Sequence, residues 1–222
     1  MSGEVVLDTA AMLFDLDGVL VDSGTTIERS WLRWSAEHGL PARTVLAACH
    51  GRPTAETIAA VAGHLDVATE ATRLEQRQAT DTAELRRCPG VARLLTGLPP
   101  GSWAVVTSGS RTLAVSRLRA VRLPIPDVLV TADDVTHGKP APDGYLQAAE
   151  RLGVPPERCV VVEDSAPGVR AGRAAGCRVV GIAGDLLGDV SEPDLVVTSL
   201  ADLTARLSGD AFVLHVGRVA HA

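Results

Sequence analysis

Lysine is almost absent from this sequence: of 21 basic residues twenty are arginine, and Lys139 stands alone. A lone lysine among arginines marks a position where a compact point charge is wanted and a planar fork is not. Basic tracts are missing as well. The formal charge is −6, and no basic stripe or tail could follow a phosphate backbone, which excludes nucleic-acid binding. No apolar run reaches the roughly 18 residues of a membrane span, and no basic segment followed by a long apolar stretch opens the chain. A cytoplasmic protein without a membrane partner is expected. Cysteine is sparse: Cys49, Cys88, Cys159 and Cys177 lie far apart and form no C-x-x-C pair. A chain of 222 residues needs no disulfide staples, so buried free thiols are expected. Internal repeats and low-complexity tracts are also lacking.

What is present is an ordinary globular balance, 46% hydrophobic and 22% charged, with room for one domain plus an insertion. The apolar run from Ala10 to Phe14, closed by charge and then Gly18, suits a buried strand of a parallel sheet. Similar runs recur at Trp103 to Thr107, Val128 to Val130, Val160 to Val162, Val179 to Ile182 and Leu195 to Val197, with helical patterns between several of them. That alternation predicts an α/β fold, a doubly wound, Rossmann-like parallel-sheet core. Residues 22–88 break the rhythm and read as successive helices, an inserted all-helical cap, leaving 1–21 and 89–222 as the core. In the insertion, Thr25 and Glu28 have capping-box spacing, Ile27, Trp31 and Trp34 recur on a helical period, and Gly39 with Pro41 supplies the stop. Further helices are predicted over Ala55 to His64 and Ala68 to Arg87, with Pro89 and Gly90 as the return hinge. Phe212 to Val216 reads as an edge strand.

In an open parallel sheet, ligands gather outside the carboxyl ends of the strands. Asp15 and Asp17 follow the first strand, Ser108 the Trp103 strand, and Glu163 with Asp164 the Val160 strand, while Lys139 sits in a Gly-Lys-Pro loop between the latter two. Two carboxylates one residue apart call for a cation, and hard oxygen ligands suit magnesium. An ion bridging Asp15, Asp164 and a substrate phosphate would orient the phosphoryl group, leaving Asp17 free for proton transfer. Ser108, Gly109 and Ser110 open a helix over roughly Arg111 to Arg119, a place where phosphate binds well. Ser165, Ala166 and Pro167 likewise open a helix that ends near Gly176.

The ordered set Asp15-Leu-Asp17-Gly18, Ser108, Lys139 and Glu163-Asp164 resembles the four motifs of the haloacid dehalogenase superfamily. The stretch from Phe14 to Ser23 is far more specific than a lone Asp-x-Asp, and the match runs over nearly the whole chain. Within that superfamily the chain is similar to hexitol and sugar phosphatases and glycerol-phosphatases, through 103–110, 138–143 and 162–169. The resemblance implies an aspartyl-phosphate mechanism on a small phosphorylated metabolite: Asp15 attacks phosphorus, Asp17 is the general acid and base, and Ser108 and Lys139 hold the phosphoryl group. It places magnesium on Asp15, the main-chain carbonyl of Asp17, and Asp164, with Glu163 supporting the metal from beside it. It also puts His50, Gly51, Arg52 and Thr54 in a substrate-selecting cap loop. Ser165 departs from the alanine common in relatives.

Blander readings stand beside these. Ser108 could serve as a helix cap, a role compatible with phosphate binding. Glu163 could be solvated or paired with an arginine. Glu28 is explained by its capping-box position, and its place early in the cap also fits substrate contact. Trp31 and Trp34 are expected in packing, and His38, His64, His137, His215 and His221 show no ligand spacing and are expected at the surface. A dehalogenase would have no use for Asp17; a phosphosugar mutase shares all four motifs and stays open, as does a non-catalytic metabolite-binding module. A monomer is expected, since a cap must open and close.

Overall fold

The computed structural model describes residues 5–188, 192–208 and 211–217. Its centre is a six-stranded sheet of β2 (Ala11–Phe14), β5 (Trp103–Val106), β6 (Val128–Val130), β7 (Cys159–Glu163), β8 (Arg178–Ile182) and β9 (Leu195–Val197), in the order β6-β5-β2-β7-β8-β9. All its pairings are parallel. Side chains alternate between the faces, as a pleated strand requires. Met12, Phe14, Val105, Val160 and Val162 join one apolar cluster, and Leu13, Ala104, Val106, Val161 and Val179 join the other. Helices α5 (Val91–Gly97) and α6 (Arg111–Ala120) contribute Val91, Leu94, Ala114 and Leu118 to the first cluster. From α7 (Asp143–Leu152) and α8 (Ala166–Ala174), Tyr145, Ala148, Ala149 and Val169 join the second. Burial on both faces is why these strands read as unbroken apolar runs.

Phe212 to Val216 is not the edge strand expected. Strand β11 (Ala211–Val216) lies between β1 (Val5–Thr9) and β10 (Leu203–Ser208) in a separate three-stranded antiparallel sheet. Phe212, Leu214 and Val216 are buried against the first cluster while Val213 and His215 are half-exposed, a period of two that covers one face only. Each of these apolar side chains adds about 2 kcal/mol by leaving water.

The segment 22–88 carries four helices, α1 (Gly24–Glu37), α2 (Ala42–Cys49), α3 (Thr54–Ala62) and α4 (Val67–Thr80), around a cluster of their own built from Trp31, Trp34, Val45, Ile58 and Leu74. The sequence reading missed α2 and ran the last helix to Arg87. The helix stops at Thr80 because Thr80-Asp81-Thr82 is poor helix material: Asp81 leaves helical geometry, and its N–H donates to the carbonyls of Arg77 and Gln78. Arg86–Arg87 (β4) then pairs antiparallel with Val21–Asp22 (β3), so the insertion leaves and rejoins the core through a two-stranded ribbon. The expected Thr25–Glu28 capping box does not form. The helix cap is Ser23, and its hydroxyl donates to Asp17 and accepts no N–H from the helix.

Candidate active site

Strands β2, β5 and β7 are neighbours whose carboxyl ends open on the same side, which brings Asp15, Ser108 and the Glu163-Asp164 pair around one crevice. Lys139 comes up beneath them. Its ammonium donates to Asp15 Oδ1 at 2.5 Å, Glu163 Oε1 at 2.6 Å and the Val106 carbonyl at 3.1 Å, which uses all three of its donors. The Tyr145 ring centroid lies 5.3 Å from the nitrogen, within cation–π range. A guanidinium fork could not aim three donors at separated acceptors in this way, which gives the solitary lysine its physical reason.

Glu163 is wholly buried, neither solvated nor paired with an arginine. Beside Lys139, its Oε1 accepts the Tyr145 hydroxyl at 2.7 Å. Its Oε2 accepts from the backbone N–H of Asp164 and Ser165 and from the Ser165 hydroxyl, at 3.1, 3.2 and 3.0 Å. Ser165, the one departure from the motif, therefore adds a hydrogen bond where alanine could not, and it also caps α8 by accepting from Gly168 N.

One ammonium faces three carboxylates. Burial pushes Asp15 up to about 7 against the pull of Lys139, and the charges of Glu163 and Asp17 add to the rise. Asp164 is also held well above the ordinary carboxylate range, by burial and then by Asp15 and Glu163. Lys139 stays above its usual range because Asp15 and Glu163 outweigh the cost of burying it. Among the described residues, oxygens of Asp15, Glu163 and Asp164 come within 4.8 Å of one another. Crowded hard donors with too little positive charge fit a divalent cation such as magnesium. The carboxylate of Asp17 is not in this set. Gly18 keeps the turn tight: its φ is +82°, and a Cβ there would sit 1.8 Å from Asp164 Oδ2.

A haloacid dehalogenase-like hydrolase family model matches residues 12–182. The chain belongs to this family. The hydrolase is 43% identical to hexitol phosphatase A of Escherichia coli strain K12 over 90% of its own length and 97% of that protein's. It is 32% identical to glycerol-1-phosphate phosphohydrolase 1 of Saccharomyces cerevisiae, over 78% and 74% of the two chains. Among solved structures it resembles CbbY of Rhodobacter sphaeroides in complex with phosphate, with a TM-score of 0.77 at 29% identity, covering 87% and 96% of the chains.

The cleft of the hydrolase runs between sheet ends and cap. His50, Gly51, Arg52 and Thr54 line it from the cap side, and Ser108 and Gly109 from the core. Burial lowers the His50 imidazole against the opposing pull of Glu28. Ser110 does not line the cleft: its hydroxyl caps α6 through Leu113 N, and its N–H donates to Glu75 of the cap at 3.2 Å. Glu28 is exposed on α1 and lies outside the cleft lining. Trp34 packs in the cap core and donates to Glu70 at 3.0 Å, whereas Trp31 packs there and also borders the cleft. Of the histidines expected at the surface, His64 and His137 are exposed, but His38 is half-buried against Trp34 and bonded to Glu70 at 2.9 Å, and His215 is half-buried. His221 lies outside the described residues. All four cysteines are free thiols, three buried and Cys88 half-buried.

Among the polar cleft residues given no role from the sequence are Ser23, Gln78 and Arg117. Ser23 donates to Asp17 Oδ1 at 2.6 Å, and the buried guanidinium of Arg117 pairs with Asp17 Oδ2. Asp17 is thus held at both oxygens. In a sequence with twenty arginines, nothing distinguishes Arg117 from a solvated helix residue.

Proposed function

We propose that this chain is a phosphomonoesterase that releases inorganic phosphate from a small sugar or polyol phosphate through an aspartyl-phosphate. The observation that carries this reading is the convergence of buried Asp15, bound by Lys139, with Asp17 two residues on in the same cleft. The names of the relatives, a hexitol phosphatase and a glycerol-1-phosphate phosphohydrolase, support the substrate class.

Asp15 attacks phosphorus in line with the P–O bond to the alcohol, and that bond breaks as Asp17 gives its proton to the departing oxygen. Asp17, now a carboxylate, takes a proton from water as the water attacks the acyl phosphate; the bond from phosphorus to Asp15 breaks, phosphate leaves, and both aspartates return to their starting states. Ser108 offers a donor to the phosphoryl oxygens, and Lys139, whose donors are held by Asp15, Glu163 and the Val106 carbonyl, supplies positive charge beside them, kept in place by Glu163. Asp15, Asp164 and the main-chain carbonyl of Asp17 would hold magnesium, which supplies positive charge between the phosphate and the attacking carboxylate. His50, Arg52 and Thr54 select the organic part of the substrate.

The test is phosphate release from hexose, hexitol, pentose and glycerol phosphates with magnesium, beside an Asp15→Asn control and a chelator control. Turnover that both controls abolish is expected. A folded protein that releases phosphate from none of them would transfer the assignment to a mutase or a binding module.

A further inference from the structure

Arg117 is a buried charge that the proposed reaction leaves without a role. It sits on α6 with 3% of its surface exposed, and a guanidinium so placed is costly unless paired. One of its terminal nitrogens pairs with Asp17 Oδ2, and the other donates to Gln78 Oε1 at 3.1 Å. Gln78 belongs to α4 of the cap and is itself 4% exposed. A guanidinium only donates, so the Gln78 atom it meets must be the amide oxygen, which fixes the orientation of the amide. A second bond seats the same two helices, from the Ser116 hydroxyl on α6 to the Ala79 carbonyl on α4 at 2.5 Å. Asp17 is gripped from the other side by Ser23, at the start of the cap.

We propose that Arg117 is the positioning residue for Asp17, and that Gln78 makes this positioning depend on the cap being seated on the core. The carboxylate is then aimed at the leaving oxygen only in the closed arrangement, so chemistry and closure are one event. This rests on the phosphatase reading. A purely structural ion pair would make the same contacts, and leaving-group dependence separates the two roles. An alkoxide needs a proton to depart; p-nitrophenolate does not.

The experiment compares kcat/KM for p-nitrophenyl phosphate and for the best alkyl phosphate of the substrate panel, in unaltered enzyme, Arg117→Met, Arg117→Lys and Gln78→Leu. This parameter covers the steps through alcohol release, so later hydrolysis of the aspartyl-phosphate does not enter. The alkyl-to-aryl ratio is expected to fall about tenfold or more in Arg117→Met, within the range proton transfer contributes. A smaller fall is expected in Gln78→Leu, and partial recovery in Arg117→Lys. Equal losses on both substrates, or an unchanged ratio, would overturn the proposal while leaving the phosphatase reading intact. Should Arg117→Met not fold, Gln78→Leu, which removes only the tether, decides by the same ratio. If unaltered enzyme hydrolyses neither substrate, the phosphatase reading fails and this proposal with it.

Discussion

The hydroxyl of Ser108, at the end of a core strand, donates to the main-chain carbonyl of Gly51 in the cap loop at 3.2 Å. The group proposed to hold the phosphoryl oxygens therefore also ties the cap loop to the core, and a substrate phosphate would compete with Gly51 for that donor. Ser108→Ala removes both roles. Its kcat/KM is expected to fall about a hundredfold, the usual loss for one donor to a developing oxyanion. Amide exchange in the loop 50–54 should quicken as well. Unchanged exchange in the folded variant would show that the bond to Gly51 does not fasten the cap.

Glu163 accepts from Lys139, Tyr145, two backbone N–H groups and the Ser165 hydroxyl. Glu163→Gln must point an NH2 at one of these sets of donors and leaves Lys139 with a single carboxylate. A loss of about 3 kcal/mol in urea unfolding is expected, the scale for breaking a buried pair. Tyr145→Phe deletes one bond of the five and should cost about 1 kcal/mol. A Glu163→Gln variant as stable as the parent would show that the Lys139–Glu163 pair adds nothing net to the fold.

The strands and the four motif sites were legible because each obeys a local rule. Fully buried parallel strands are apolar runs, and the residues that follow them meet at one end of the sheet. Asp15, Ser108 and Asp164 could be placed from that rule, and Lys139 from its solitude among arginines and its loop between two of those strands. What stayed hidden depends on contacts distant in sequence. Arg117 lies 100 residues from Asp17, and Gln78 and Glu75 reach the core only once α4 has packed on α6. Strand β1 joins a sheet whose other members lie at the far end of the chain. Local spacing also misled at Thr25 and Glu28, because the helix already starts at Gly24 behind Ser23, whose hydroxyl turns to Asp17.

Cap and core also meet where Gly138 faces Pro53: a Cβ on Gly138 would lie 2.4 Å from Pro53 Cγ. Real Cβ atoms do not come so near, so Gly138→Ala should hold the cap off the core. A fall in kcat/KM of about tenfold or more is expected, since water exclusion and residue placement both depend on closure. Because Gly138 adjoins Lys139, the single variant alone is ambiguous. Pro53→Ala removes the obstructing ring atoms, and the double variant should recover most of the activity. Failure of that recovery would place the damage at Lys139 instead.

Within the cap, Glu70 Oε2 accepts from Trp34 Nε1 at 3.0 Å and meets His38 Nε2 at 2.9 Å. The Trp34 bond, followed by His38, holds its carboxyl below the ordinary value of 4.5 although partial burial opposes the shift. A carboxyl whose folded pKa is depressed stabilises the fold above its unfolded pKa, and that contribution disappears as pH falls through the folded value. Glu70→Gln cannot titrate yet keeps an oxygen for Trp34. The parent should therefore exceed the variant in stability at pH 6, and the gap should close between about pH 5 and pH 3 as protonation removes the advantage. Urea unfolding followed by tryptophan fluorescence measures it. A gap that stays constant over that range would show that the Glu70 charge contributes nothing to the cap.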